Sequence, residues 1–303
     1  MRKPALSLAA VEAALAKNWK SVADLTPIVE GEESQACSFR QGTQEYILRI
    51  NRAAAGFQKD ALAYRRFASG TLPIPEIVEI GETGDGHAFC ISRRLPGVTL
   101  QSLPVGDLPR VLAPTAGVMG AIAESSLDGL TGFGPFDPSG RGSHGSWREF
   151  LTSIADGVRY DWNAVNRFVP IGRTGEFQVR VTELAGQVTE TRCLVHGDFG
   201  SNNVLTDGCC ITGVLDWSEA MIGDPLYDIA NIFFWRTRLA CMEQQARFFE
   251  ARLPDAPRLG ERLLCYQLRI GLSEIYENAL NRNPEALAWA LLRCDELAGS
   301  ADC

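Results

Sequence analysis

LVHGDFGSNNVLTDGCCITGVLDW, residues 194–217, is the stretch around which the chain is organised. It places His196, Asp198 and Asn203 in the spacing H-x-D-x-x-x-x-N, and its last apolar run ends on Asp216. The apolar pair at 194–195 leads into a loop, NVLT at 203–206 leaves it, and ITGVL at 211–215 delivers the final carboxylate. Asp207-Gly208, between the last two runs, is a strong two-residue turn signal. The spacing therefore predicts a strand, a loop and a hairpin of two short strands. Such a hairpin returns Asp216 to the side of Asn203. One carboxylate then stands in a loop, while an amide oxygen and a second carboxylate lie together.

Phosphoryl transfer needs that arrangement. Magnesium takes a few hard oxygen ligands from the protein and leaves the rest of its shell to phosphates and water. The transferring group needs its charge neutralised and an acceptor hydroxyl held in line, which one positioned carboxylate and the metal can supply. In the kinase template the loop Asp takes the acceptor proton, while the Asn and the later Asp hold magnesium. Asp198, Asn203 and Asp216 fit those roles in that order. Taken singly, the first two read as turn residues and the third as a strand-end cap; together, on apolar strands, they read as a site.

The 303 residues suffice for two lobes with cores of their own, and 46% hydrophobic with 22% charged residues is ordinary for a globular protein. No run of about 18 apolar residues offers a membrane span. The N-terminal segment lacks the clean apolar core of a secretory signal, so a cytoplasmic protein is expected. Nine cysteines, an odd number without a C-x-x-C pair, read as reduced thiols rather than a disulfide framework or a zinc site. Residues 1–100 carry 12 Lys+Arg against 11 Asp+Glu, a net of +1, whereas residues 196–303 carry 9 against 16, a net of −7. An acidic half around a cleft concentrates cationic ligands and argues against nucleic acid as the substrate.

Along the chain, Leu8, Val11, Leu15 and Trp19 recur at helical spacing behind a candidate N-cap, Ser7. LTPIVEGEESQACSFRQGTQEYILRI reads as antiparallel strands turning at Gly42, with Gly31 to Ser34 as a loop over phosphates, although G-x-G-x-x-G is absent. KDALAYRRFAS reads as a helix opened by Asp60. LPIPEIVEIGE and HAFCISRR read as strands, followed by a break at Pro96-Gly97. Residues 105–190 suggest helices around a Gly/Pro/Ser-rich connection, GLTGFGPFDPSGRGSHGSW, in which His144 is expected to face solvent. Asp224-Pro225 starts a further helix with Asp228 in its opening turn, and two more helices close the chain.

HGDFGSNNVL, VLDWSEAMIGDPLYDIANIFF and YILRI resemble the aminoglycoside phosphotransferase family, small-molecule kinases with a protein-kinase-like fold. GEESQACSF, ISRRLPGVTLQ, GFGPF and ACMEQQ are most similar to its hygromycin B 4-O-phosphotransferase branch. The resemblance implies an α+β, two-lobe protein-kinase-like fold. Its small antiparallel-sheet N-lobe would span residues 1–95 and its mainly helical C-lobe residues 96–303. It implies ATP (or GTP) and Mg²⁺ as cofactors, a cationic aminoglycoside as acceptor, and a monomer without membrane or nucleic-acid partners. Catalysis falls to Asp198 and metal binding to Asn203 and Asp216, with His196 supporting the loop. Arg49 stands where such kinases carry a phosphate-binding lysine, with Asp60 as its ion-pair partner and Lys59 as a rival phosphate contact. Ser34 is placed over the phosphates and Ser92, Arg93 and Arg94 near the base. Asn202, Trp235 and Glu274 (with Glu277 as the alternative) are placed at the acceptor, and Asp224 and Asp228 brace the catalytic loop. One departure stands out: where the branch carries a second tryptophan in F-F-W-x-x-W, this chain has Arg238. A metabolic kinase for choline, homoserine or an amino-sugar, and a nucleotide-binding protein without transfer activity, remain the alternatives. A protein kinase is disfavoured because no A-P-E or activation-loop sequence follows Asp216.

Overall fold

The computed structural model describes residues 4–16, 18–28, 34–170, 172–253 and 256–299. The chain opens with α1 (Leu8–Leu15), capped by Ser7, whose Oγ accepts the Ala10 N–H at 3.2 Å. Five strands follow, interrupted by one helix: β1 (Val22–Pro27), β2 (Gln35–Gln41), β3 (Gln44–Asn51), α2 (Ala55–Phe67), β4 (Ile77–Glu82) and β5 (Ala88–Arg93). They form an antiparallel sheet in the order β1-β2-β3-β5-β4. Gly42, at φ +62°, makes the turn from β2 to β3. Strand periodicity then sorts the side chains of β3. Tyr46, Leu48 and Ile50 go into one apolar cluster with Val11, Leu15, Trp19 and Phe39. Arg49 goes to the opposite face, towards α2.

The helix carrying Asp60 begins at Ala55 rather than at Lys59, so Asp60 lies in its second turn and does not open it. The sequence marks no start there, because the cap position is Ala54, whose side chain makes no capping bond. The longer helix joins two cores. Phe57 packs with Ala88 and Cys90 beneath the sheet, whereas Leu62, Ala63 and Phe67 belong to the large core of the rest of the chain.

After a link at 94–97 come β6 (Val98–Thr99), α3 (Leu108–Ala123), β7 (Phe133–Phe136), β8 (Gly142–His144), α4 (Trp147–Thr152), α5 (Trp162–Val165) and α6 (Arg173–Ala185). Then follow β9 (Cys193–Val195), β10 (Val204–Thr206), β11 (Ile211–Val214), β12 (Met221–Gly223), α7 (Leu226–Trp235), α8 (Ala240–Glu250), α9 (Leu259–Leu280) and α10 (Pro284–Gly299). Two small sheets order this region, β11-β10-β6 and β8-β7-β12-β9. The Gly/Pro/Ser-rich segment is thus not a bare connection, since β7 and β8 form a hairpin within it. Its strand character comes from a distant partner: Pro135 and Gly134 pair with Met221 and Ile222 of β12. His144 is half-buried rather than solvent-facing, bonded to Ser143 Oγ at 2.7 Å and Arg159 Nη1 at 2.8 Å. Among the described residues no helix is long and apolar enough to cross a membrane.

β12 lies between β7 and β9 and so positions the loop that leaves β9. It packs without slack, because a Cβ on Gly223 would stand 2.2 Å from the ring of fully buried Trp147. Gly223→Ala is expected to lower stability by about 1–3 kcal/mol through overpacking. Urea unfolding checks this as a lower midpoint at unchanged m-value.

Candidate active site

The 194–217 stretch folds as its turn chemistry dictates. Asp207 Oδ1 accepts the N–H groups of Cys209 and Cys210 at 2.9 and 2.8 Å, Gly208 takes φ +94°, and β10 pairs with β11. The Leu215 N–H donates to Asn203 O at 2.8 Å, which seats Asp216 next to Asn203. Asn203 Nδ2 in turn donates to Asp198 O at 2.9 Å and to Asp198 Oδ2 at 2.8 Å. Both bonds use the amide nitrogen, so the amide oxygen is the atom left to accept a cation. Asp216 sits at φ +56°, where its Oδ1 accepts Ser218 Oγ–H at 2.7 Å and Ser218 N–H at 3.3 Å.

Electrostatics separates the two carboxylates. Asp198 is open to solvent, yet desolvation by the surrounding protein, followed by the charges of Asp216 and Glu219, pushes its pKa up to about 6. Burial would raise Asp216 as well. Arg49 and the two bonds from Ser218 outweigh it and hold Asp216 below the usual carboxylate range. The outer member is thus a base near neutrality and the inner one a permanent anion. Among the described residues no group of three or more His, Cys, Asp or Glu converges as a metal cage. Magnesium needs none, because one or two carboxylates with phosphates and water suffice. An ionised Asp216 beside the Asn203 oxygen fits such an ion.

Behind the site the loop is strapped down. His196 is fully buried, its Nδ1 accepting the Asp198 N–H at 3.3 Å and its Nε2 donating to Leu215 O at 2.9 Å. Burial lowers its pKa to about 4, so it is a neutral spacer between loop and hairpin. Asp228, at the start of α7, accepts the N–H groups of His196 and Gly197 at 2.9 and 2.8 Å. Burial pushes it up to about 7 against the pull of those two bonds. Gly197 has φ +88°, and a Cβ there would meet Glu219 O at 2.3 Å. Asn231, one helical turn beyond Asp228, donates to Phe199 O at 3.2 Å. The sequence reading missed Asn231, although its spacing from Asp228 places it on the same helix face. Asp224 does not brace this loop. It is fully buried against α9, bonded by Arg262 Nε at 3.0 Å and Tyr266 OH at 2.7 Å, and its Oδ1 caps Leu226 N at 3.1 Å.

Asp60 accepts Arg49 and also the Trp217 N–H at 2.8 Å, linking β3 to the residue after Asp216. Burial opposes the Arg49 charge; Asp60, Cys90 and Asp216 together more than offset it, so its pKa lies above the ordinary arginine value. Lys59 is engaged by backbone carbonyls of another segment. Its Nζ is buried against Phe136 and donates to Ser218 O and, at 3.0 Å, to Ala220 O. Successive helical positions point in different directions, so Lys59 and Asp60 serve different neighbours. Ser34 Oγ accepts Asn51 Nδ2 at 3.2 Å, while Gly31 to Glu33 of the expected phosphate loop lie outside the described residues. Ser92 is buried. The Arg93 side chain pairs with Glu76 at 2.6 Å and that of Arg94 with Glu45 at 3.5 Å. Their N–H groups donate to Glu76 O at 2.9 Å and Glu45 O at 3.1 Å.

Of the residues expected at the acceptor, Asn202 is exposed in the loop between β9 and β10. Trp235 is half-buried and stacks on Trp289 at 4.7 Å, with 18° between the rings. Arg238 lies over Trp289 at 5.1 Å, so a tryptophan absent from the sequence reading organises both residues. Glu274 accepts Asn278 Nδ2 at its carbonyl and at Oε2, at 2.9 and 3.3 Å. Glu277, one turn further along α9, is exposed.

The His196 shift sets a pH dependence. The unfolded chain takes up a proton near pH 6.5, whereas the folded imidazole takes none until about 4. In that window the unfolded state binds more protons, so stability falls as pH drops. The span corresponds to about 3 kcal/mol. His196→Gln keeps a donor and an acceptor and is expected to lose less unfolding free energy than wild type between pH 7 and pH 5. Asp198 and Asp228, raised on folding, titrate in the opposite sense and are common to both proteins, so denaturant titrations of the pair isolate the imidazole.

Residues 24–262 match the model of the phosphotransferase enzyme family, APH. The chain is 49% identical over 300 residues to the hygromycin-B 4-O-kinase of Escherichia coli, covering 99% of this chain and 88% of that one. The crystal structure of aminoglycoside phosphotransferase APH(4)-Ia superposes with a TM-score of 0.92 at 48% identity, covering 97% of this chain and 99% of that one. A thermostable mutant of that enzyme, solved as a ternary complex with AMP-PNP and hygromycin B, gives 0.91 at 49% identity over 96% and 99% of the two chains. The two-lobe α+β kinase-like architecture expected from the motifs is therefore the fold, and the chain belongs to the phosphotransferase enzyme family.

Proposed function

We propose that this protein transfers the γ-phosphoryl group of ATP to a hydroxyl of hygromycin B, and so confers resistance to it. The observation that carries the reading is the Asp198–Asn203–Asp216 constellation, closed by the Asn203 bonds, in a chain similar along almost its whole length to a hygromycin-B 4-O-kinase. The relative is named for the 4-hydroxyl, and the same position is proposed here. The nucleotide would lie between a lobe of residues 1–95 and one of residues 96–303. The N–H groups of Arg93 and Arg94 are engaged in the sheet, so the base edge falls to the backbone of Leu95.

Asp198 would accept the proton of the acceptor hydroxyl. A pKa of about 6 leaves it mainly ionised at pH 7.5 while keeping it basic enough to take that proton. The Asn203 oxygen and Asp216 would hold magnesium, whose chemistry is to neutralise charge on the phosphate oxygens. Arg49 would add its planar fork on the phosphates, oriented by Asp60. The net charge of −7 over residues 196–303 would draw in a cationic sugar, with Trp235, Asn202 and Glu274 at the acceptor.

Asp198→Ala is expected to cut turnover of ATP with hygromycin B by roughly 10²- to 10⁴-fold, with a native circular dichroism spectrum. Turnover at the wild-type rate, measured as ADP release, sinks the assignment. Acceptor turnover with choline or homoserine instead of hygromycin B would keep the site and discard the drug.

Arg49 and Lys59 separate in a second pair of variants. Arg49→Ala is expected to raise the KM for ATP roughly tenfold or more, the loss of a charge-assisted contact of about 1.5–3 kcal/mol. Lys59→Met is expected to lower the melting temperature and leave that KM near wild type. The reverse pattern would assign the phosphate contact to Lys59.

A further inference from the structure

The tip of the β10–β11 hairpin carries two adjacent exposed thiols, Cys209 and Cys210. The other described cysteines are withdrawn: Cys37, Cys90, Cys241, Cys265 and Cys294 are buried and Cys193 is half-buried. In an extended strand, neighbouring side chains point to opposite faces. Here the backbone is turned, because both N–H groups converge on one atom, Asp207 Oδ1, at 2.9 and 2.8 Å. The opposed-face rule of an extended strand therefore does not govern this pair. Further bonds hold the turn in shape. Thr206 Oγ1 donates to Cys210 O at 2.7 Å and accepts the Gly208 N–H at 2.9 Å. The hairpin is also tied to the link between the lobes, where Thr212 Oγ1 donates to Pro96 O at 2.5 Å. The thiols are therefore accessible while their backbone is ordered.

We propose that Cys209 and Cys210 form a dithiol site for trivalent arsenicals, separate from the phosphotransfer centre. Arsenic(III) is pyramidal and takes two thiolates side by side, which adjacent residues on a turn can supply. A linear two-coordinate metal would demand thiols on opposite sides. With an organoarsenic oxide, two S–H bonds and the As–O bond break and two As–S bonds form. The oxygen leaves as water carrying both thiol protons, and arsenic stays trivalent, so no oxidant or reductant is required. The second As–S bond closes within one molecule at a high effective concentration, and this separates the pair from any single cysteine.

Phenylarsine oxide tests the site. The full-length protein is incubated with one equivalent in excess glutathione and weighed intact. One arsenical per chain, with loss of one water, is expected in the wild type, and a small dithiol should strip it. Cys209→Ser and Cys210→Ser should each lower retention by at least about 10²-fold, because a single As–S bond is competed away by monothiol. Each variant should keep the wild-type melting temperature. An adduct that survives glutathione in either single variant, or a wild type that holds the arsenical no better than the variants, overturns the assignment.

Discussion

Carboxylates crowd the junction around the catalytic loop, and their mutual repulsion in a poorly solvated place is the constraint that the surrounding structure answers. The charge of Asp216 reaches Asp60 and Asp198, and that of Asp198 reaches Asp228. Each is satisfied differently. Asp216 is stabilised by Arg49 and by both donors of Ser218. Asp60 takes Arg49 and the Trp217 N–H, and Asp228 takes two successive backbone N–H groups. Asp198 is the exposed one of the four, and it accepts the Asn203 amide. Burial raises the proton affinity of Asp60, Asp198 and Asp228 alike, and of these three Asp198 is the one exposed to solvent, as the proposed base for an incoming acceptor must be.

The same bonds couple chemistry to fold. Asp60 lies on α2, a helix shared between the cores, and binds the backbone one residue after Asp216. Lys59, its neighbour, fastens the same helix to Ser218 and Ala220. The ion pair that orients Arg49 therefore also sets where the sheet sits over the hairpin. His196 does the equivalent work below, spanning from the Asp198 N–H to Leu215 O as an uncharged group. A charged imidazole there would have no solvent to support it, and burial accounts for its low pKa.

Much of this was legible in the linear sequence, and for a local reason. Asp207 and Gly208 set the turn, apolar alternation set the strands, and the turn returned Asp216 to Asn203 without help from distant residues. Ser7 announced α1 by capping it, and Gly42 marked the β2–β3 turn. Where local signals were missing, the reading slipped. Nothing marks the start of α2, and nothing in a glycine-rich run shows that β7 will pair with β12 far along the chain.

What the sequence determined by itself was the chemistry: which carboxylates and amide converge, the kinase-like fold that their motifs resemble, and the acidic character of the C-terminal half. Only the tertiary structure decided which partner each long side chain takes. It turned Lys59 inward to backbone carbonyls, sent Asp224 to Arg262 and Tyr266 instead of the loop, and brought Trp289 against Trp235 and beneath Arg238. Turns and alternation are written in neighbouring residues, whereas these contacts depend on how helices far apart in sequence are packed. A residue's type states what it can bond; packing alone states what stands within reach.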